Sequence, residues 1–269
     1  MKLTWITDIH LNFIEFDARR KYYQSITDSN ADAVLISGDI AEAPNVSDML
    51  VEMVQHIGKE IYFVLGNHDY YRSSVTRLRK DITDLCKKTS HLHWLPQSKV
   101  VKLTKNSVLV GEDCWADGRY GNYTDSNVIL NDSRMIKELY EASMLGKYQL
   151  LDAMQKLADT DAERLQQHLK SAIQWYNPDK IVVLIHVSPF KESCMHEGTM
   201  SNDNYLPFFS SKTAGDVLLD IAKLNPDRRF LVLCGHTHSR SYYQPCANLI
   251  VKVGSVKYMD PEIQEVIVV

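Results

Sequence analysis

An α/β fold is predicted by two observations. Eight short runs rich in β-branched residues, at 3–7, 33–37, 61–65, 108–111, 181–185, 230–234, 249–253 and 262–269, punctuate the chain. Helical periodicity fills the gaps between them, and strands that alternate with helices stack as layers. Most of the runs are apolar throughout, as expected for strands covered on both faces.

In chain order, the first run ends in Asp8-Ile9-His10 and is followed by helical periodicity over 17–29. The second run gives way to Gly38-Asp39 and then to a helical stretch at 46–58. The third ends in Gly66-Asn67-His68-Asp69, followed by a helix at 76–87. His91-Leu92-His93, before Trp94-Leu95-Pro96, reads as an ordinary strand edge. Beyond 108–111, the segment 114–127 is polar, aromatic and glycine-containing, and it fits no repeating unit. Residues 134–176 are helical by periodicity. Within them Thr160-Asp161-Ala162-Glu163 has capping-box spacing, and Asn177-Pro178 supplies a stop. His56 and His168 lie in helical stretches and read as surface residues. The run at 181–185 ends in His186. It is followed by a second irregular segment, 188–209, which holds His196-Glu197. A short helix at 216–224 stops at Asn225-Pro226, and the run at 230–234 leads into Gly235-His236-Thr237-His238. Long irregular loops in a compact domain are often functional. With no repeat, low-complexity tract or linker, residues 1–269 read as a single domain.

Composition excludes several classes. The 45% hydrophobic and 24% charged content is that of a globular chain with a sizeable core. A formal charge of −4 gives no electrostatic case for binding long nucleic acid. No apolar segment approaches the roughly 18 residues of a membrane span, and the N-terminus enters a strand at once, which leaves no room for a signal peptide. Five scattered cysteines without Cys-x-x-Cys spacing read as reduced thiols of a cytoplasmic protein.

Five of the runs end in metal-binding residue types, and five of the ten histidines sit at these endings. Ligands in α/β sheets gather outside the carboxyl ends of strands, so the five endings can converge on one site. Imidazole and carboxylate suit zinc, manganese or iron. Asp-x-His and His-x-His have period-two spacing, which lets both side chains of an extended segment point the same way. Two divalent ions bring about +4 charges, while Asp8, Asp39 and a bridging hydroxide bring about −3. The remainder of roughly +1 suits an anionic phosphate, and the neutral Asn67 preserves it.

These ordered motifs, from Asp8 to His238, resemble the calcineurin-like metallophosphoesterase family. The family pattern is Asp-x-His, Gly-Asp, Gly-Asn-His-Asp/Glu, a lone His and Gly-His-x-His, and each element occurs here in that order. The resemblance implies a four-layer α/β/β/α sandwich with two mixed β-sheets. It implies that Asp8, His10, Asp39 and His238 hold one metal, and that Asp39, Asn67, His186 and His236 hold the other. It also implies that His68 faces the phosphate to stabilise charge or protonate the leaving oxygen, with Asp69 orienting it. The expected activity is hydrolysis of a small, nucleotide-type phosphodiester by a metal-bridging hydroxide, with two Mn, Fe or Zn ions as cofactors. Phosphomonoesterase, protein phosphatase and nuclease action, or a non-catalytic metal-binding scaffold, are the alternatives. Substrate contacts are expected from Arg119, whose planar fork suits phosphate, from Trp115 in the 114–127 segment and from Tyr70. The expected partner is a small phosphoester, without long nucleic acid or membrane; oligomeric state is not legible.

Overall fold

A computed structural model describes residues 1–269. The chain begins with β1 (Lys2–Ile6), α1 (Phe16–Asp28), β2 (Ala33–Ser37), α2 (Ala43–Ile57), β3 (Glu60–Val64), α3 (Val75–Lys88) and β4 (Leu92–Trp94). A short α4 (Leu95–Ser98) carries the chain to β5 (Val100–Lys102) and β6 (Ser107–Gly111). Three helices come next, α5 (Asp132–Met135), α6 (Lys137–Leu145) and α7 (Lys147–Tyr176). They lead to β7 (Lys180–Leu184), β8 (Met195–His196), β9 (Thr199–Met200), α8 (Leu206–Phe209) and α9 (Lys212–Leu224). The last four strands are β10 (Arg229–Cys234), β11 (Ser241–Cys246), β12 (Leu249–Val253) and β13 (Glu265–Val268).

Two large sheets form, ordered β13-β1-β2-β3-β4 and β11-β12-β10-β7-β6-β5. The inner strands β1 to β4 pair in parallel, as do β6, β7, β10 and β12. β13, β5 and β11 add antiparallel edges, so both sheets are mixed. Side chains alternate between faces with period two. Leu3, Trp5 and Leu35 therefore meet Val182, Leu184, Leu231 and Leu233 between the sheets. Their strand neighbours Ile6, Ile36 and Phe63 face outward onto α1, α2 and α3. Ile181, Val183 and Val232 face outward onto α7 and α9. The result is the four-layer α/β/β/α sandwich.

Local chemistry sets the helix limits. α2 ends where Gly58 adopts φ 64°, and α3 starts where Ser74 Oγ accepts from the Arg77 N–H. Asn177, at φ 45°, ends α7 where a stop is expected.

Three expectations need correction. The 134–176 region is three helices, interrupted at the extended Ile136 and at Gly146, whose φ is 134°. Thr160-Asp161-Ala162-Glu163 is not a helix start but lies inside the 30-residue α7. There Thr160 Oγ donates to the Lys156 carbonyl, and Asp161 turns inward to arginines instead of capping. His168 is buried, not superficial, because its α7 face covers the second sheet beside Leu165 and Leu169. His91 and His93 both contact Glu60, as befits a strand edge.

A buried ion network ties the layers together behind the strand ends. Arg79 Nη2 donates to Asp161 Oδ2 at 2.6 Å and to Asp113 Oδ2 at 3.1 Å, while its Nε donates to Tyr70 Oη at 2.9 Å. Asp113 Oδ1 accepts from the Leu65 N–H at 2.8 Å and from Trp94 Nε1 at 3.0 Å. Removing one partner from such a group leaves the others buried and uncompensated. Arg79→Met should therefore lower unfolding free energy by about 3–5 kcal/mol in urea denaturation. A loss under about 1 kcal/mol would contradict this role.

Candidate metal centre

The strand ends converge across the two sheets. Past β1 and β2 the backbone ladder continues, with the Asp8 N–H donating to the Gly38 carbonyl and the His10 N–H to the Asp39 carbonyl, both at 3.0 Å. The side-chain donors sit on left-handed backbone: Asp8 at φ 50°, His10 at 41°, Asp39 at 54°, His236 at 74° and His238 at 54°. Such conformations cost about 1–3 kcal/mol each and persist only where surrounding structure enforces them. Glycine makes room for them. A Cβ on Gly66 would lie 2.1 Å from Asp39 Oδ1, and one on Gly235 would lie 2.0 Å from Asp8 Oδ2.

Asp8, His10, Asp39 and His238 bring one ligand atom each within 4.8 Å of one another. His238 Nε2 is 3.3 Å from both Asp8 Oδ1 and His10 Nε2. On the other side of Asp39, His186 Nε2 lies 3.3 Å from Asp39 Oδ1 and 3.1 Å from Asn67 Oδ1. His236 Nδ1 lies 2.9 Å from the same Asn67 oxygen.

Hydrogen bonds outside this cluster decide which atoms face inward. Asn67 Nδ2 donates to Asp132 Oδ1 at 2.8 Å and to Tyr71 Oη at 3.2 Å, so the amide oxygen points at the imidazoles. His236 Nε2 donates to the Phe208 carbonyl at 3.0 Å, and His186 Nδ1 donates to the Ser37 carbonyl at 2.8 Å. A neutral His236 thus presents the lone pair of Nδ1 to the lone pairs of Asn67 Oδ1. Acceptor facing acceptor is repulsive unless positive charge lies between them. Carbonyl-anchored imidazoles beside carboxylates are also how metal ligands are held in one tautomer. The donor set therefore fits two cations sharing Asp39: Asp8, His10, Asp39 and His238 around one, and Asp39, Asn67, His186 and His236 around the other.

The electrostatics agree. Burial alone would lower His186, but Asp39 and Asp8 outweigh it and push the imidazole up to about 10. Burial would raise Asp8, yet His238 and His186 hold it down at about 2. Burial pulls His10 down to about 4 against Asp39, and burial with the neighbouring His186 lowers His236. With the chain's own charges alone, a proton on His186 supplies the missing positive charge.

The family described as calcineurin-like phosphoesterase matches residues 1–245. The chain belongs to this family. Among solved structures it is similar to the phosphopantetheinyl hydrolase of Mycobacterium tuberculosis, with a TM-score of 0.68 and 13% identity over 96% of this chain and 90% of that one. It is also similar to a dimetal phosphatase from Danio rerio, with a TM-score of 0.59 and 12% identity over 95% and 87%. At these identities the likeness is one of fold. No curated protein matches the sequence.

In this calcineurin-like phosphoesterase the other residues singled out by sequence divide. The His68 ring packs against His10 and Tyr71, with centroids at 4.7 and 4.3 Å, and its backbone N–H donates to Asp39 Oδ1 at 2.9 Å. Asp69 does not orient it. The Asp69 carboxylate is taken by the N–H groups of Ile40, Ala41 and Gly66, and His68 Nδ1 has no partner. Asp69 thus fixes the turns that carry Asp39 and Asn67 and is a positioning residue. Tyr70 is fully buried in the Arg79 network and is no substrate contact. Arg119 is spent on Asp117 and Asp159, at 3.2 and 2.8 Å, which corrects its reading as a phosphate ligand. Trp115 is buried against Tyr70, with centroids 4.9 Å apart.

Sequence reasoning missed Asp132 and Tyr258. Tyr258 stacks on His10 with centroids 4.7 Å apart and covers one side of the centre. Asp132 and Tyr258 lie outside any motif, and no local spacing marks them.

Two outcomes follow. His186 must lose its proton to act as a ligand. Raising the pH from about 6 to about 8 should therefore strengthen Mn(II) binding in calorimetry, with protons released on binding; pH-independent affinity would contradict this. Asp132→Ala frees the Asn67 amide and should weaken Mn(II) binding about 10- to 100-fold, where unchanged affinity would refute the orienting role.

Proposed function

We propose that this phosphoesterase hydrolyses a phosphodiester at a two-metal centre, with Asp39 shared between the ions. The observation that carries this is the charge of the donor set. Asp8 and Asp39 are its only carboxylates, Asn67 is neutral, and no lysine or arginine pairs with any of these residues. When bound, two divalent ions lower the pKa of a water and neutralise phosphate oxygens. Their charge of about +4, against two carboxylates and one deprotonated water, leaves roughly +1. That balance matches a singly charged diester better than a doubly charged monoester.

The remaining work falls to the chain's own groups. Asp39 and Asn67 set the spacing of the centre, held by the Asp69 turns and by Asp132. His68, wedged between His10 and Tyr71, is placed to give a proton to the departing oxygen or to stabilise its charge. An intact donor set supports catalysis over a non-catalytic scaffold. No helix is long and apolar enough to cross a membrane, and the five free cysteines support the cytoplasmic location read from the sequence.

The test uses protein loaded with Mn(II), on bis-para-nitrophenyl phosphate and on para-nitrophenyl phosphate. A higher kcat/KM on the diester is expected, and monoester-only turnover would overturn the reading. His68→Ala should lower diester turnover about 100-fold or more while metal content stays the same. Loss of metal instead would show that His68 is a ligand.

A further inference from the structure

A cavity of about 570 Å³ opens beside the metal centre, within the roughly 300–1,000 Å³ of ligand pockets. It is formed by the 114–130 segment, α5, α6, the start of α7 and Phe208. Two of its wall residues also touch the centre. Asp132 holds the Asn67 amide, and the Phe208 carbonyl holds His236. Asp132 and Phe208 thus form the wall shared by the donor cluster and this cavity, which is the hollow next to a phosphoester held at the centre.

The walls decide which ester group fits. Thirteen of the 21 lining residues are hydrophobic, with Val128, Leu130, Leu139, Leu150, Met154 and Leu157 supplying an aliphatic surface. The lining serines and Lys147 are already engaged, whereas the buried Trp115 Nε1 and the exposed side chains of Asn127, Arg134 and Tyr140 are not. Ser126 Oγ donates to the Asn204 carbonyl, and Ser133 Oγ to the Leu130 carbonyl. Ser143 Oγ donates to the Tyr140 carbonyl, and Lys147 Nζ to the Thr124 and Ser126 carbonyls. A nucleobase or sugar placed among the aliphatic walls would lose water and find Trp115 Nε1 as the one unpartnered buried donor, a poor return for its desolvation. An alkyl chain has no such debt and gains from burial. Ile129 and Met144 also line the cavity and remain 65% and 69% exposed, beside the exposed Asn127 and Arg134. Large apolar side chains left exposed in a group mark an interaction surface.

We propose that the substrate is a phosphoester carrying a long aliphatic group, which lodges in this cavity while the phosphate sits on the metal centre. This rests on the phosphodiester hydrolysis proposed above and replaces the nucleotide-type substrate expected from the sequence with a lipid-type one. In the reaction a water oxygen bonds to phosphorus, the bond from phosphorus to the leaving oxygen breaks, and that oxygen takes a proton. The aliphatic ester stays on the phosphate or departs as the alcohol, according to which ester is cleaved.

The test is a series of para-nitrophenyl alkyl phosphates with methyl, hexyl and dodecyl chains, kept below their micelle concentrations. A farnesyl ester runs beside them to separate an isoprenoid source from a fatty one. With Mn(II)-loaded protein, kcat/KM should rise about 10-fold or more from methyl to dodecyl or farnesyl. Leu150→Trp, which fills the cavity, should flatten that ratio. In parallel, calorimetry of dodecyl phosphate against butyl phosphate reads the cavity without turnover, and tighter binding of the longer chain is expected. Cleavage with a flat chain-length profile would overturn this inference and leave diester hydrolysis standing. Chain-length-dependent binding without any cleavage would support the cavity and overturn the hydrolytic reading.

Discussion

The structure turns on one constraint: oxygen and nitrogen acceptors converge in a nearly dry pocket that no lysine or arginine enters. Asn67 Oδ1 meets both His236 Nδ1 and His186 Nε2, and Asp39 Oδ1 meets His186 from the other side. With the chain's own charges, a proton on His186 serves Asn67 and Asp39, but His236 Nδ1 still faces Asn67 Oδ1 acceptor to acceptor, and each buried acceptor needs a positive partner. Neighbouring features keep the acceptors aimed. The Ser37 and Phe208 carbonyls fix the imidazole tautomers, and Asp132 with Tyr71 fixes the amide. The Phe208 carbonyl, by taking the Nε2 proton, keeps His236 from offering an N–H to Asn67 through that nitrogen.

Backbone strain and sheet architecture answer to that constraint. Five donor residues sit in left-handed backbone that only local hydrogen bonds and absent Cβ atoms make tolerable. The parallel strands deliver them from both sheets because each strand's chemistry begins where its apolar run stops. Behind them the Arg79 network joins the Leu65 backbone to α3, β4, the end of β6 and α7. A rigid rear wall and a strained front edge are the expected division in a site that must hold geometry within fractions of an ångström.

Much of this was readable from residues alone, and the reasons are local. The strands at 33–37 and 249–253 coincide with β2 and β12, because continuous β-branched runs have no helical alternative. The Gly-Asp, Gly-Asn-His-Asp and Gly-His-x-His endings stand out because a core rejects those residues. Short β5 and β11 escape the sequence reading, since three residues or an edge with alternating exposure carry little periodic signal. Asp161 reads as part of a cap because the arginine that draws it inward comes from 82 residues away. Asp69 and Tyr70 were misplaced for a related reason: their partners, Ile40, Ala41, Arg79 and Asp113, are distant in sequence. The cavity beside the centre has no motif, being lined by side chains from the 114–130 segment, α5, α6, α7 and Phe208.

The account stands or falls on two cations sharing Asp39. The most direct measurement is anomalous diffraction from crystals grown or soaked with Mn(II). Two peaks about 3.5–4 Å apart on either side of the Asp39 carboxylate are expected, one near His10 and His238 and the other near Asn67, His186 and His236. An absence of peaks at saturating metal, or density away from these side chains, would contradict it.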